Sequence, residues 1–228
     1  MNFRYYYNNV PGKGQCRNNL IYTSLISYDQ KTFVQWYHND PEYHKGQNQV
    51  VDPSKMKEKW NREVKFLSLM AEKFPNLVPK ILDIDHKDQK IYLSVDGPDF
   101  WESSGCSEQY YDRVLPDWRD QMLEIISAHK TLGLYKYSMH PSSYFIVNGQ
   151  LKSINYFFTY EQTEPLISIK DVESHIYSTR QEEMRKHLET LGIDWNTPQP
   201  FETLEKLCWA SFSTNYPKDF IEAVQCLK

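Results

Sequence analysis

An Asn-Gly dipeptide at residues 148 and 149 strongly constrains the local fold of this chain. It stands between two apolar runs, YFIV at 144–147 and QLKSINYFF at 150–158. Both central residues of a type I′ turn have positive φ, a conformation that Asn and Gly adopt at little cost. The dipeptide therefore predicts a two-residue β-hairpin.

Five segments before residue 97 carry strand signals, because each is rich in aromatic and β-branched residues and is bounded by polar turns. They are FRYYYNN (3–9), NLIYTSLIS (19–27), TFVQWYH (32–38), LVPKILDID (77–85) and KIYLSV (90–95). Short connections between successive strands favour antiparallel pairing. We therefore expect a five-stranded antiparallel sheet over residues 3–95.

A helix interrupts these strand segments. Asp52 is a candidate N-cap, Pro53 suits the first helical position, and no helix breaker follows before Pro75. Apolar residues recur at helical spacing, which predicts a helix over 53–73 with one face packed against the sheet. Glu63 lies at the edge of that face.

Helical signals dominate the second half of the chain. The strongest predicts a helix over 117–132, on whose apolar face we expect His129 to be a core histidine. Three more helices are predicted over about 173–191, 201–213 and 217–227. Residues 99–115 are predicted to be irregular. We expect an α+β chain with two domains, 1–97 and 98–228.

Composition excludes several functional classes. Of the 228 residues, 40% are hydrophobic, and the net charge is −4 without a block of Lys or Arg. Because nucleic-acid binding needs a basic surface, we expect no nucleic-acid partner. No apolar run is long enough to span a membrane, and no signal peptide is visible, so we expect no membrane partner. The four cysteines are scattered, which predicts reduced thiols in the cytoplasm and no zinc site.

The order of these elements resembles the protein-kinase fold, including compact kinases of the aminoglycoside-phosphotransferase type. Residues 133–147, GLYKYSMHPSSYFIV, resemble the kinase catalytic loop H-x-D-x-K-P-x-N and the strand that follows it. On this resemblance Ser138 replaces the catalytic Asp, His140 the loop Lys, and Ser143 the metal-binding Asn. Asn155 replaces the metal-binding Asp of the Asp-Phe-Gly motif.

The same resemblance assigns positions in the sheet-containing part. Gln35 stands where a kinase carries the Lys that contacts the nucleotide phosphates, and Glu63 where it carries the ion-pair partner of that Lys. Since the Lys is absent, we expect Glu63 to bond a neutral group such as Gln35. The candidate nucleotide-binding positions are Gly12, Lys13 and Gly14 in place of the Gly-rich loop, and Asp96 and Gly97 in place of the hinge between lobes.

The resemblance implies a bilobal fold, with an antiparallel-sheet N-lobe and a shortened, mainly helical C-lobe. The residues at the catalytic positions imply that the protein does not transfer phosphate. Asn155 and Ser143 offer Mg²⁺ no carboxylate, and Ser138 has no useful basicity near neutral pH. Gln35 has no charge to place on a phosphate. We therefore expect a pseudokinase, a binding or regulatory module with no catalytic residue, no metal and no cofactor other than ATP bound weakly without metal. Its partner would be an unidentified protein or small ligand.

Two alternatives remain open. The chain could be an atypical phosphotransferase for a small molecule or protein, with Lys13 or Arg17 on the phosphates and His140 as the general base. It could also be an unrelated α+β protein whose element order is coincidental. The chain further resembles uncharacterised proteins of marine tailed phages, which implies a location in the host cytoplasm and a host or phage protein as the partner.

Overall fold

The computed structural model describes residues 3–5, 23–27, 32–37, 53–95, 97–176, 178–213, 215–225 and 227. Contacts divide the chain into two compact units. The first, here called the sheet unit, comprises Met1–Pro98 and Phe145–Phe157, and the second, here called the helical unit, comprises Asp99–Tyr144 and Phe158–Lys228.

The sheet unit is built on a five-stranded sheet in the order β1-β2-β3-β5-β4. Its strands are β1 (Phe3–Tyr5), β2 (Thr23–Ser27), β3 (Thr32–Trp36), β4 (Lys80–Asp85) and β5 (Lys90–Ser94). All neighbours pair antiparallel, with Phe33 opposite Leu93 and Gln35 opposite Ile91 in the central pair. The α+β class and the antiparallel sheet expected from the sequence are confirmed.

Helix α1 (Pro53–Lys73) has the bounds that the sequence predicts. Its buried apolar residues are Met56, Trp60, Phe66, Leu67 and Met70. Glu63 is 0% exposed, so it lies within the buried face and not at its edge as the pattern suggests. A carboxylate at such a position must be hydrogen-bonded, because burial without partners costs several kcal/mol.

The Asn-Gly hairpin joins β7 (Tyr144–Val147) to β8 (Gln150–Ser153). Asn148 has φ 52° and Gly149 has φ 75°, as the predicted type I′ turn requires.

Residues 145–157 belong with the sheet unit, whereas the predicted division at residue 97 places the whole hairpin in the helical part. Phe145 packs against Phe33 with ring centroids 4.8 Å apart, and the Lys152 ammonium donates to the Asn76 carbonyl. These contacts join residues far apart in the chain, so local composition does not reveal them.

The helical unit contains short strand pairs among its helices. The described helices are α2 (Phe100–Ser103), α3 (Tyr111–Val114), α4 (Trp118–Thr131), α5 (Ile169–Val172), α6 (Ser178–Thr190), α7 (Phe201–Ala210) and α8 (Tyr216–Val224). The strand pairs are β6 (Leu134–Lys136) with β9 (Thr159–Glu161), and β10 (Ile167–Ser168) with β11 (Pro198–Gln199). Among the described residues, no helix combines the length and apolar composition needed to cross a membrane.

Two predictions for the helical unit are corrected. Residues 99–115 are not wholly irregular, because α2 and α3 form there and Asp99 caps α2 by accepting the Glu102 N–H. Four-residue helices are too short to show an apolar period, so the pattern misses them. The helix predicted over about 173–191 begins later than expected, because Glu173–His175 form a 3-10 turn and α6 starts only at Ser178. The preceding helix α5 starts at a capping box of Ser168 and Asp171 and ends at Val172.

Candidate functional site

Gln35 and Asn155, two positions that the kinase resemblance singles out, meet in the sheet unit. Gln35 Nε2 donates to Asn155 Oδ1 over 2.9 Å, and both side chains are buried. Asn155 has φ 66°, a left-handed conformation that Asn tolerates better than most residues. Two neutral amides therefore pair at the two positions for which the sequence resemblance implies a cation and a metal-binding carboxylate.

Glu63 anchors helix α1 to the segment that follows Asn155. Its Oε2 accepts the Tyr37 hydroxyl over 2.8 Å and the Phe157 backbone N–H over 2.7 Å. The prediction that Glu63 faces the third strand segment and bonds a neutral group is confirmed, although its partners are Tyr37 and Phe157 and not Gln35, the example suggested. Tyr37 lies two residues beyond Gln35, and because strand side chains alternate, both point to the same side.

Aromatic rings surround these hydrogen bonds. Tyr37 contacts Trp60 and Phe157 edge to face, with centroids 5.7 and 6.4 Å apart. The Lys59 ammonium lies 5.6 Å from the Phe157 ring centroid, and burial lowers the Lys59 pKa to about 8. The polar groups of this cluster are thus fixed by packing as well as by hydrogen bonds.

The loop 137–143 of the helical unit carries the other three predicted positions. Ser138 and Ser143 are buried, and His140 begins a single 3-10 turn, Pro141–Ser143. His140 Nδ1 accepts the Ser142 N–H over 3.0 Å and lies 2.7 Å from the Ser142 hydroxyl oxygen. Because Nδ1 is an acceptor, neutral His140 carries its proton on Nε2. His140 therefore acts as the cap of this turn.

Lys136, which the sequence did not single out, supports this loop from inside the helical unit. Its side chain is 0% exposed, and its ammonium donates to the Ser138 carbonyl and lies 4.9 Å from the Tyr144 ring centroid. The Lys136 backbone N–H donates to Glu205 Oε1 over 3.1 Å. One feature of the sequence could have pointed to Lys136. It stands two residues before Ser138 in a strand-like run, and residues at that spacing lie on the same face of a strand.

His129 and Glu205 are two of the buried titratable groups near Lys136. Burial, and secondarily the charge of Lys136, lowers the pKa of His129 to about 3. Burial raises the pKa of Glu205 to about 8, against the opposing effect of the Lys136 N–H and of nearby lysines. The expected core histidine is confirmed, and His129 is neutral near physiological pH.

Acid is expected to destabilise the protein through His129. Its pKa is lowered from 6.5 to about 3 in the folded state, so only the unfolded chain binds this proton between those values. The contribution of His129 to the free energy of unfolding is therefore fully present above pH 6.5. It decreases by about 1.4 kcal/mol for each pH unit below that value. We expect His129→Gln to remove this contribution from the pH dependence of the unfolding free energy, as measured by urea unfolding from about pH 4 to 7. An unchanged slope in the variant contradicts a neutral His129.

Most of the predicted nucleotide-binding positions lie outside the described residues, namely Gly12, Lys13, Gly14 and Asp96, as do Arg17 and Asp52. Gly97 is described and has φ 104°, and a side chain there would meet nothing within 4 Å. Its backbone conformation thus requires glycine without any close approach of another group. Within the described part of the chain, no three His, Cys, Asp or Glu side chains group to hold a metal.

Comparisons with known proteins give matches among solved structures but none among protein families or curated proteins. Among solved structures, one match is the medium-resolution structure of WbdD, described as a bifunctional kinase-methyltransferase. The two are 12% identical with a TM-score of 0.46, and the match covers 99% of this chain and 50% of that one. The chain thus spans half the length of that protein, and none of these comparisons supports the resemblance to phage proteins.

Proposed function

We propose that this chain is a kinase-like binding or regulatory module that does not transfer phosphate. The observation that carries the proposal is the 2.9 Å hydrogen bond between Gln35 Nε2 and Asn155 Oδ1. Phosphoryl transfer depends on a cation that orients the phosphates and on anionic oxygens that hold Mg²⁺. A buried pair of neutral amides supplies neither.

The sheet unit supports the proposal in a second way. Glu63, at the position where a kinase carries the partner of its phosphate-contacting Lys, accepts hydrogen bonds from Tyr37 and Phe157. These neutral donors satisfy a carboxylate oxygen without a bound nucleotide. The order of the unit, with α1 between the third and fourth strands of a five-stranded antiparallel sheet, supports the kinase-like part of the proposal.

The loop 137–143 supports the absence of a general base. A Ser hydroxyl is not basic near neutral pH, so Ser138 cannot accept the proton of a substrate hydroxyl. The Nδ1 lone pair of His140 is engaged by Ser142. This arrangement disfavours the alternative in which His140 is the base of an atypical phosphotransferase.

The ligand that fits this proposal is either a protein or a small molecule bound without metal. ATP would be held by its adenine and backbone groups and not through its phosphates. Because oxygen ligands of sufficient charge are missing, Mg²⁺ should add nothing to its binding.

Purified protein is expected to transfer no phosphate from ATP to itself, to an added protein or to an aminoglycoside. Loss of one electrostatic group typically costs 10²- to 10³-fold in rate, and several are missing here. Radiolabelled ATP tests the transfer. Thermal unfolding with ATP, with and without Mg²⁺, tests the binding, and we expect any shift to be the same in excess EDTA.

Two results would contradict this proposal. A stabilisation by ATP that requires Mg²⁺ shows that metal-binding oxygens exist. Label transfer that disappears in His140→Ala or Lys13→Ala establishes the atypical phosphotransferase instead.

A further inference from the structure

A chain of contacts links the carboxyl group of Glu205 to the loop 137–143 within the helical unit. Glu205 lies on α7 and is 2% exposed, and its Oε1 accepts the Lys136 N–H over 3.1 Å. Lys136 is the last residue of β6, from which the chain enters the loop. The Lys136 ammonium then donates to the Ser138 carbonyl inside the loop.

Several charged or titratable groups act on this carboxyl. They are Lys136 on β6, Lys130 on α4, Glu202 and Cys208 on α7, and Tyr137 in the loop. Lys130 pairs with Glu202 at the surface over 3.1 Å, and burial raises the pKa values of Cys208 and Tyr137, which keeps both neutral. Among the Lys and Arg residues whose side-chain burial the structure describes, only Lys136 is fully buried.

We propose that protonation of Glu205 keeps the loop 137–143 closed, so that the order of this loop, and of Ser138, His140 and Ser143 within it, depends on pH. A buried carboxylic acid accepts the Lys136 N–H without charge. Its deprotonation creates a buried carboxylate at the base of the loop, and the charge is relieved when the surrounding segment opens to water. Local opening needs less free energy than global unfolding, so we expect the segment joined to Glu205 through Lys136 to open before the whole unit unfolds.

The direction of the pH effect follows from the protonation states. The pKa of Glu205 is raised from 4.5 to about 8, so the closed state keeps a proton that the open state releases. The free energy that favours the closed state over the open state is therefore largest below pH 4.5, and it decreases as the pH rises to about 8. One released proton changes the opening equilibrium by about tenfold per pH unit.

Hydrogen exchange of the intact protein, measured by mass spectrometry from about pH 5 to 9 and corrected for intrinsic exchange rates, tests the proposal. We expect the protection of residues 137–143 to fall with rising pH by up to about tenfold per unit and to level off above pH 8. In Glu205→Gln, which keeps an acceptor for the Lys136 N–H but cannot ionise, protection should stay constant. Glu182→Gln, a surface carboxylate on α6 that pairs with Lys186, is the control and should behave as the unsubstituted protein.

Carbon-13 NMR of the Glu205 carboxyl in the unsubstituted protein gives an independent readout, and we expect a midpoint far above that of an exposed Glu. A midpoint near 4.5, or a loop whose protection does not change with pH, overturns the proposal. An equal fall of protection throughout the helical unit also overturns it, since the effect would then be global. None of these outcomes depends on whether the chain transfers phosphate.

Discussion

Replacing Gln35 by Lys is expected to destabilise the protein by about 3–5 kcal/mol, and combining it with Asn155→Asp is expected to cost less than the sum of the two separate losses. Gln35 is 0% exposed and faces the Asn155 amide over 2.9 Å, so a lone ammonium at residue 35 would be buried against a neutral partner. Asn155→Asp alone should be similarly costly, because it buries a second carboxylate in the unit that already contains Glu63.

A double-mutant cycle of Gln35→Lys and Asn155→Asp in urea unfolding measures this coupling. We expect an interaction free energy of about 1–3 kcal/mol that favours the ion pair created by the two substitutions together. Gln35→Met is the control, since it has a similar size to Lys and no charge. If the effects of the two substitutions simply add, the charges are neutralised elsewhere and the direct pairing of residues 35 and 155 is contradicted.

Glu63→Leu is expected to destabilise the protein by about 4 kcal/mol. The substitution leaves two buried donors, the Tyr37 hydroxyl and the Phe157 N–H, without the oxygen that accepts both, and each such loss costs about 1–3 kcal/mol. Glu63→Gln keeps one acceptor oxygen and should cost less. Thermal or urea unfolding gives the comparison.

A control lies on the same helix. Glu58 is an exposed carboxylate that pairs with Arg62 at the surface, and Glu58→Leu should change the unfolding free energy by no more than about 0.5 kcal/mol. Tyr37→Phe in the Glu63→Leu background should cost less than Tyr37→Phe alone, because the acceptor is already gone. Equal losses from Glu58→Leu and Glu63→Leu would show that Glu63 does not anchor α1.

Features that depend on local backbone chemistry could be predicted from the residues alone. Pro53 and the apolar period defined helix α1 at both ends, and the Asn-Gly dipeptide defined the hairpin turn. The strand runs predicted the antiparallel sheet, because alternation and short polar turns leave few other arrangements. The four-residue helices α2 and α3 could not be predicted in this way, because each spans less than two helical turns and shows no apolar periodicity.

The partners of the buried polar groups were decided by tertiary structure. Gln35 and Asn155 are separated by 120 residues in the chain, and Glu205 and Lys136 by 69. Such pairs depend on which buried donors and acceptors packing brings within hydrogen-bond distance, and no local preference encodes that. The sequence alone therefore determined that residues 35 and 155 carry neutral side chains. Only the tertiary structure decided that the neutral groups there satisfy each other, because a buried amide must find its partner wherever the fold places one.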